Sequence, residues 1–340
     1  MTTQGHSATS LPIAKRRRGA GQYLSPIART ALAELGTALR AGLQLRRAWL
    51  AVGTVCLVDW VYAGSIGLTL THYTVLRAVM IVLVCTTIAL RVAFPAPRFA
   101  AVTEMVALWV AFAYSINFFS YLAATPALPL RDDFLAQLDR MLGFDWLAVF
   151  GFVQAHQLVA HVLSVCYFSL IPETFALGIL FAWTRRQDRV RELFWLAFLS
   201  SLIACVLSGC IPVLGAFQHY GLPAKAPYLH DLDALRSGVG LRFSIPDMQG
   251  IVTFPSYHAT LALVMVYVVR GMKFVGPAVL LWNLLMVIAT VPIGGHYLVD
   301  VIGGVGVLLL SIAAYRWAPG FSRTSGDVRY SVGARGATAR

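Results

Sequence analysis

The feature that most limits how this chain can fold is a series of apolar runs, each close to the length that crosses a lipid bilayer. The hydrocarbon core of a membrane is about 30 Å thick, and a helix of about 20 residues spans it. Inside lipid the backbone must satisfy its own hydrogen bonds, so such runs fold as helices. We therefore predict eight transmembrane helices, near 49–70, 74–95, 101–121, 156–182, 193–216, 257–273, 276–293 and 297–317.

The amino-acid composition excludes a water-soluble protein. Charged residues make up only 12% of the 340 residues, and hydrophobic residues make up 58%. A soluble domain carries about 25% charged residues, so this chain cannot cover a surface that faces water. We predict an all-α polytopic membrane protein with one transmembrane domain at 49–317, a basic tail with an amphipathic helix at 1–48, and a second basic tail at 318–340. The five cysteines lie within apolar runs and are expected to be packing residues.

The positions of lysine and arginine predict the orientation of the chain. If the N-terminus is cytoplasmic, 21 of the 27 basic residues fall on the cytoplasmic side of the membrane. This bias is typical of inner-membrane proteins, whose short cytoplasmic loops are rich in lysine and arginine. We therefore expect an integral protein of a bacterial inner membrane with both termini in the cytoplasm and the loops at 122–155 and 217–256 outside. The net charge of +12 reflects this topology, and no nucleic-acid partner is expected.

The first outer loop has the pattern of a helix that lies on the membrane surface. Within 129–146, apolar residues recur at helical spacing and alternate with charged residues. The apolar residues are Leu130, Phe134, Leu138, Met141 and Leu142, and the charged ones are Arg131, Asp132, Asp139 and Arg140. We predict an interfacial helix here, followed by Trp146 in the aromatic belt at the membrane boundary.

Two segments at the outer ends of predicted helices carry residues suited to catalysis. His296 and Asp300 are four residues apart, so on a helix the carboxylate can bond the imidazole and define its tautomer. The alternation of the last three helices brings His258 to the same depth in the membrane as His296. Two imidazoles at one boundary, one of them oriented by an aspartate, can serve as nucleophile and acid across a phosphorus atom. A single histidine here is equally well explained as a hydrogen-bonded residue at a helix end, but three converging polar residues in so apolar a chain favour a functional site.

The same two segments resemble a known family. The sequence Phe-Pro-Ser-Tyr-His258 resembles the second signature of the type 2 phosphatidic acid phosphatase (PAP2) superfamily, and Gly-His296-Tyr-Leu-Val-Asp300-Val resembles the third. The form His-Tyr-x-x-Asp-Val is similar to the branch that contains inositol phosphorylceramide synthases and sphingomyelin synthases. The stretches Gly-Ile-Val-Thr-Phe-Pro-Ser-x-His at 250–258 and Leu-Gly-Phe-Asp-Trp at 142–146 also resemble bacterial members of the inositolphosphotransferase-like branch. The resemblance covers about residues 120–315.

This resemblance implies a six-helix catalytic bundle, a lipid phosphate substrate, a phosphohistidine intermediate, and no metal or other cofactor. Carried over to this chain, His296 is the nucleophile, Asp300 orients it, and His258 protonates the leaving oxygen. Ser256 is expected to bind the phosphoryl oxygens by a hydrogen bond. Nothing in the sequence indicates an oligomeric state.

The chain departs from the PAP2 pattern in its positive charges. The usual Lys-x6-Arg-Pro signature is absent ahead of Phe254, and Thr290 stands where an arginine is expected six residues before the nucleophile. Phosphoryl transfer needs cations or hydrogen-bond donors around the phosphoryl oxygens. The candidates on the predicted outer side are Arg236, Arg242, Lys225 and free backbone N–H groups at Gly294 and Gly295. Among the side chains we expect Arg236 to bind the phosphoryl group, with Gly295 as a backbone contact.

Several alternatives stay open at the level of sequence. Phosphatase and phosphotransferase are equally compatible with the motifs, and sugar phosphates, isoprenoid diphosphates, phosphatidate and sphingolipids are all candidate substrates. A transporter or flippase, or a PAP2-like scaffold without activity, are the competing functions. A zinc site from His156, His161, His219 and His230 is disfavoured, because no His-Glu-x-x-His or similar spacing supports it.

Two acidic residues lie in the middle of predicted helices. Asp59 and Glu173 need partners there, because an ionisable group inside a membrane is costly. We expect them to form structural pairs within the bundle, with Arg77, His156 and His161 as candidate partners.

Overall fold

The computed structural model of the protein describes residues 45–222 and 225–317. The predicted amphipathic helix and both tails lie outside these residues, apart from 45–48. The described residues form thirteen α-helices and two short strands, which confirms the all-helical class. The helices are α1 (Arg46–Ile66), α2 (Thr74–Val92), α3 (Pro97–Ala124), α4 (Asp132–Met141), α5 (Trp146–Ala155), α6 (Gln157–Phe168), α7 (Leu170–Trp183), α8 (Gln187–Cys210), α9 (Ala216–His219), α10 (Leu229–Ser237), α11 (Tyr257–Val268), α12 (Val275–Thr290) and α13 (Leu298–Trp317).

The helices that could cross a membrane are fewer than the apolar runs of the sequence. Within the described residues, five helices are long and apolar enough, namely α1, α2, α3, α8 and α13. A sixth is added if α5 and α6, which meet at an angle of 108°, count as one bent span. The helices α7, α11 and α12 are apolar but shorter. The structure therefore supports an integral membrane protein, while the number eight stays a prediction.

Two strands form a ladder that the sequence did not predict. The strand β1 (Thr69–Thr71) pairs in parallel with β2 (Arg242–Ser244). The first apolar run was predicted to continue as a helix to residue 70, but α1 ends at Ile66, where Gly67 adopts a left-handed conformation with φ of 72°. A left-handed glycine is a common way to end a helix, because it lets the chain turn away without a steric penalty. The ladder places the connection after α1 at the same end of the bundle as the second long loop.

The centre of the bundle is filled by aromatic side chains from α3 and α8. Trp109 and Phe112 of α3 contact Phe194 of α8, and Phe198 packs against the same group. These four residues are buried. By contrast, large apolar side chains such as Trp60 remain exposed on the outer helix faces. An apolar exterior around a packed core is what a membrane environment requires.

Asp59 and Glu173, the acidic residues predicted to lie in the middle of helices, have neutral partners. Ser115 donates a hydrogen bond to Asp59 at 3.4 Å, and Asn283 donates to Glu173 at 2.7 Å. The predicted partners Arg77, His156 and His161 are therefore wrong. A hydroxyl or amide group from a neighbouring helix gives each carboxyl group one hydrogen bond without burying a second charge.

Arginine side chains gather at the end of the bundle opposite to His258. Glu192, near the start of α8, accepts hydrogen bonds from Arg189 at 2.7 Å and from Arg270 at 2.6 Å. Arg270 follows the C-terminus of α11, whose N-terminus carries His258. The chain thus has a basic end and a histidine-bearing end, and the side of the membrane that each faces stays a prediction.

Candidate active site

The two motif segments meet where α11 and α13 begin. The backbone N–H of Ser256 donates to the carbonyl of Asp300 at 3.0 Å, and the hydroxyl of Thr260 donates to the carbonyl of Gly304 at 3.1 Å. A Cβ atom at Gly304 would lie 2.8 Å from the carbonyl oxygen of Ser256. Glycine at this position therefore permits the helices to approach closely enough to join the motifs.

His296 and Asp300 form the hydrogen bond that their spacing predicts. The Nδ1 atom of His296 lies 3.3 Å from Oδ2 of Asp300, which also accepts the backbone N–H of Tyr297 at 2.8 Å. Both members of the pair are buried, with 4% of His296 and 0% of Asp300 exposed. Because Nδ1 faces the carboxylate, Nε2 is the nitrogen left available for attack on an electrophile.

His258 lies in the first turn of α11, next to the His296 pair. It follows Ser256 by two residues, and the hydrogen bond from the N–H of Ser256 to the carbonyl of Asp300 ties this helix start to the His296 pair. The imidazole of His258 is stacked on the ring of Tyr167 from α6, with ring centroids 4.3 Å apart and planes 8° from parallel. The stack restricts the imidazole to one orientation, which a group that delivers a proton requires.

A carboxylate from α4 caps α13, the helix that begins two residues after the candidate nucleophile His296. Asp139 is fully buried and accepts the backbone N–H groups of Leu298 and Val299 at 2.8 and 2.9 Å. These are the first two residues of α13, whose N–H groups have no partner within their own helix. Burial raises the pKa of Asp139, while the two N–H donors oppose that rise. The cap holds the turn between His296 and α13 in place.

Two further side chains hold the same turn. Asp132 accepts the N–H of Gly215 at 2.9 Å and the hydroxyl of Tyr297 at 3.1 Å. The indole N–H of Trp146 donates to the carbonyl of His296 at 3.0 Å. The prediction that Trp146 belongs to the aromatic belt is wrong, since only 1% of it is exposed. From the sequence, a tryptophan after an amphipathic segment can lie either at the membrane boundary or in the protein interior. The buried hydrogen bond of the Trp146 indole shows that it lies in the interior.

The helix predicted within 129–146 is present as α4. Its residues Phe134 and Met141, and Leu142 just beyond it, are exposed. Asp132 and Asp139 instead face the turn between His296 and α13. This arrangement suits a helix whose apolar side contacts lipid.

Comparison with known proteins gives one match. A family model of the PAP2 superfamily matches residues 133–314, which is more than half of the chain and includes both motifs. The chain belongs to the PAP2 superfamily. No curated protein and no solved structure matches it. Membership indicates a phosphatase-type lipid phosphoesterase in a membrane, whereas the inositolphosphotransferase-like branch stays a prediction.

Ser256 and Gly295, the residues expected to contact the phosphoryl group, both take part in the local structure of the site. Ser256 is fully buried, and its hydroxyl oxygen accepts the N–H of Ala259 at 3.3 Å as the cap of α11. Gly295 has a φ of 70°, and a Cβ there would lie 2.3 Å from the ring of Phe217. The N–H groups of Gly295 and Gly294 donate to carbonyl oxygens of the preceding turn, so neither is free. The binding role of Gly295 stays a prediction.

Arg236, the predicted cation of this PAP2 site, lies on α10. Its Nη2 donates to the carbonyl of Leu128 at 2.9 Å. Within residues 45–222 and 225–317, no hydrogen bond or ion pair joins it to His258, His296 or Asp300. Its predicted role therefore requires the guanidinium to exchange a carbonyl oxygen for a phosphoryl oxygen.

The structure places four residues around the candidate site that the sequence did not assign to it. Asp132 and Asp139 were assigned to the charged side of an interfacial helix, Trp146 to the membrane boundary, and Tyr167 to a transmembrane run. A seven-residue spacing places both aspartates on one helix face, and this was the available signal.

As for the zinc alternative, no cluster of three histidine, cysteine or acidic side chains suited to a metal ion occurs in the part of the chain that the structure describes.

Proposed function

We propose that this PAP2 protein is a lipid phosphoesterase that works through a phosphohistidine on His296, at the extracytoplasmic face of the membrane and without a metal ion. The observation that carries the proposal is the buried bond between His296 and Asp300, with His258 on the adjoining helix. Nothing else among the described contacts combines an oriented imidazole with a second imidazole beside it. The motif order and the superfamily match support the same assignment.

The reaction takes place in two displacements. Nε2 of His296 attacks phosphorus, the bond from phosphorus to the leaving oxygen breaks, and His258 gives its proton to that oxygen. A hydroxyl compound then attacks the phosphohistidine, while His258 removes its proton and the bond to His296 breaks. Asp300 stabilises the positive charge that His296 acquires in between.

The identity of the second hydroxyl compound decides between the two activities. Water yields a phosphatase, and the hydroxyl of a lipid or polyol yields a phosphotransferase, as in the branch that the motif form resembles. Ser256 and Arg236 are assigned to the phosphoryl-binding side of the site, and Gly295 joins them on condition that its N–H exchanges the carbonyl oxygen of Val291 for a phosphoryl oxygen. Ser256 and Gly295 adjoin the catalytic turns directly, and Arg236 supplies a positive charge from the outer loop.

The decisive experiment uses the full chain in lipid vesicles. Phosphatidic acid, an isoprenoid diphosphate and phosphatidylinositol with a ceramide acceptor are supplied separately, each with a ³²P label. We expect release or transfer of the label from at least one lipid, together with an acid-labile phosphoprotein that His296→Ala abolishes. Movement of an intact lipid across the bilayer, with neither turnover nor phosphoprotein, would instead support the flippase alternative.

A further inference from the structure

We propose that the hydroxyl of Tyr167 is a direct hydrogen-bond donor to the transferred phosphoryl group. This proposal rests on the phosphoryl-transfer function above and adds a residue that contacts the substrate. No sequence motif points to Tyr167, which lies in α6, about ninety residues before the first catalytic histidine. Its assignment comes from position, orientation and an unused hydrogen-bonding group.

The need for such a donor follows from the charge of the reaction. Negative charge on the phosphoryl oxygens must be stabilised in the transition state by donors placed in advance. Thr290 occupies the position where the superfamily pattern has an arginine. Within the described residues, no lysine or arginine takes part in the hydrogen bonds, ion pairs or ring contacts of the two histidines and Asp300. A neutral donor next to the histidines would fill this gap.

Tyr167 is positioned between the two catalytic segments. Its ring lies flat on His258, as described above. Its hydroxyl points to the turn before His296, because a Cβ at Gly294 would lie 3.0 Å from that oxygen. The same point in space is 2.6 Å from the carbonyl oxygen of Thr290. The hydroxyl thus lies close to the residue that replaces the motif arginine.

The hydroxyl of Tyr167 is also unused. Among the described residues it makes no hydrogen bond, whereas other tyrosines in the bundle do. Tyr228 donates to the carbonyl of Leu214, Tyr257 to that of Ala197, and Tyr297 to Asp132. A phenol is protonated at neutral pH, so Tyr167 has a proton available to donate. Its partner is then the substrate, and the phosphoryl oxygens are the acceptors within reach of His258.

Orthovanadate, an analogue of the transferred phosphoryl group, tests this contact without knowledge of the lipid. The full chain in detergent micelles is titrated with orthovanadate by calorimetry, and its melting temperature is measured in parallel. Tyr167→Phe keeps the ring stack and removes only the hydroxyl. We expect the dissociation constant of Tyr167→Phe for orthovanadate to rise on the order of 10- to 100-fold, the usual effect of losing one hydrogen bond to a charged group. Its melting temperature without vanadate should stay unchanged.

Tyr257→Phe is the matched control, because Tyr257 adjoins His258 but directs its hydroxyl to α8. Its vanadate affinity should stay within about twofold of wild type. Equal affinity in wild type and Tyr167→Phe, with weaker binding in His296→Ala, would overturn the role of the hydroxyl and leave the proposed function intact. If the folded wild type and His296→Ala do not differ in vanadate binding, the proposed function itself fails. A loss in Tyr257→Phe as large as in Tyr167→Phe would show a general packing effect and would also overturn the assignment.

Discussion

At the scale of single residues, the pair of His296 and Asp300 makes the most direct prediction. His296→Ala should abolish turnover and phosphoprotein formation, because the variant lacks the nitrogen Nε2 that attacks phosphorus. Asp300→Asn should leave a trace, with kcat lower by roughly 10²- to 10⁴-fold, since the imidazole remains but loses its orientation and its compensating charge. Rapid-quench measurement of the phosphoprotein distinguishes the two variants. Wild-type activity in folded His296→Ala would disprove the nucleophile assignment.

Arg236 makes a second prediction at this scale. If its guanidinium turns from Leu128 to the phosphoryl group as charge develops, Arg236→Ala should lower kcat by about 10²-fold and change KM little. Arg236→Lys should recover only part of the rate, because a point charge replaces a bidentate group. Arg242→Ala and Lys225→Ala, on the same outer loop, are the controls for steady-state kinetics. A defect in either that matches Arg236→Ala would place the cation elsewhere.

At the scale of a helix, α4 is predicted to control activity through the cap on α13. Asp139→Asn keeps the size of the side chain but leaves one of the N–H groups of Leu298 and Val299 without an acceptor. We expect a loss of about 1–2 kcal/mol in unfolding free energy and a lower kcat with little change in KM. Asp133→Asn is the matched control, because Asp133 is the exposed neighbour on the same helix. Denaturant titration and kinetics on both variants should separate them, and equal behaviour would contradict the capping role.

At the scale of the whole molecule, the two chemically different ends predict sidedness. In a cysteine-free background, Ser237→Cys should react with a membrane-impermeant thiol reagent in intact cells. Ser237 is exposed, and α10 leads directly into β2 at the histidine-bearing end. Gln187→Cys lies beside the arginine cluster at the start of α8 and should react only after permeabilisation. The reverse pattern would invert the topology and place the active site in the cytoplasm.

The sequence by itself determined the class of the protein and led to the proposed catalytic trio of His258, His296 and Asp300. Long apolar runs in a membrane fold as helices, because the backbone must satisfy its own hydrogen bonds there. The runs can be read directly from the sequence. The hydrogen bond between His296 and Asp300 was predicted from their four-residue spacing, although the structure forms it at the start of α13, with His296 just before the helix and Asp300 in its first turn. The superfamily also follows from short segments, since its signatures are contiguous in the chain.

Only the tertiary structure decided how the trio is held and what surrounds it. The contacts of Trp146 with His296, of Asp139 with α13 and of Tyr167 with His258 join residues about 90 to 160 positions apart. The ladder between β1 and β2 has the same long-range character. An amphipathic pattern shows that a helix has two faces, but not which face meets the protein and which meets lipid. Which face meets the protein depends on packing between helices that are distant in sequence, so the spacing of residues within one helix does not predict it.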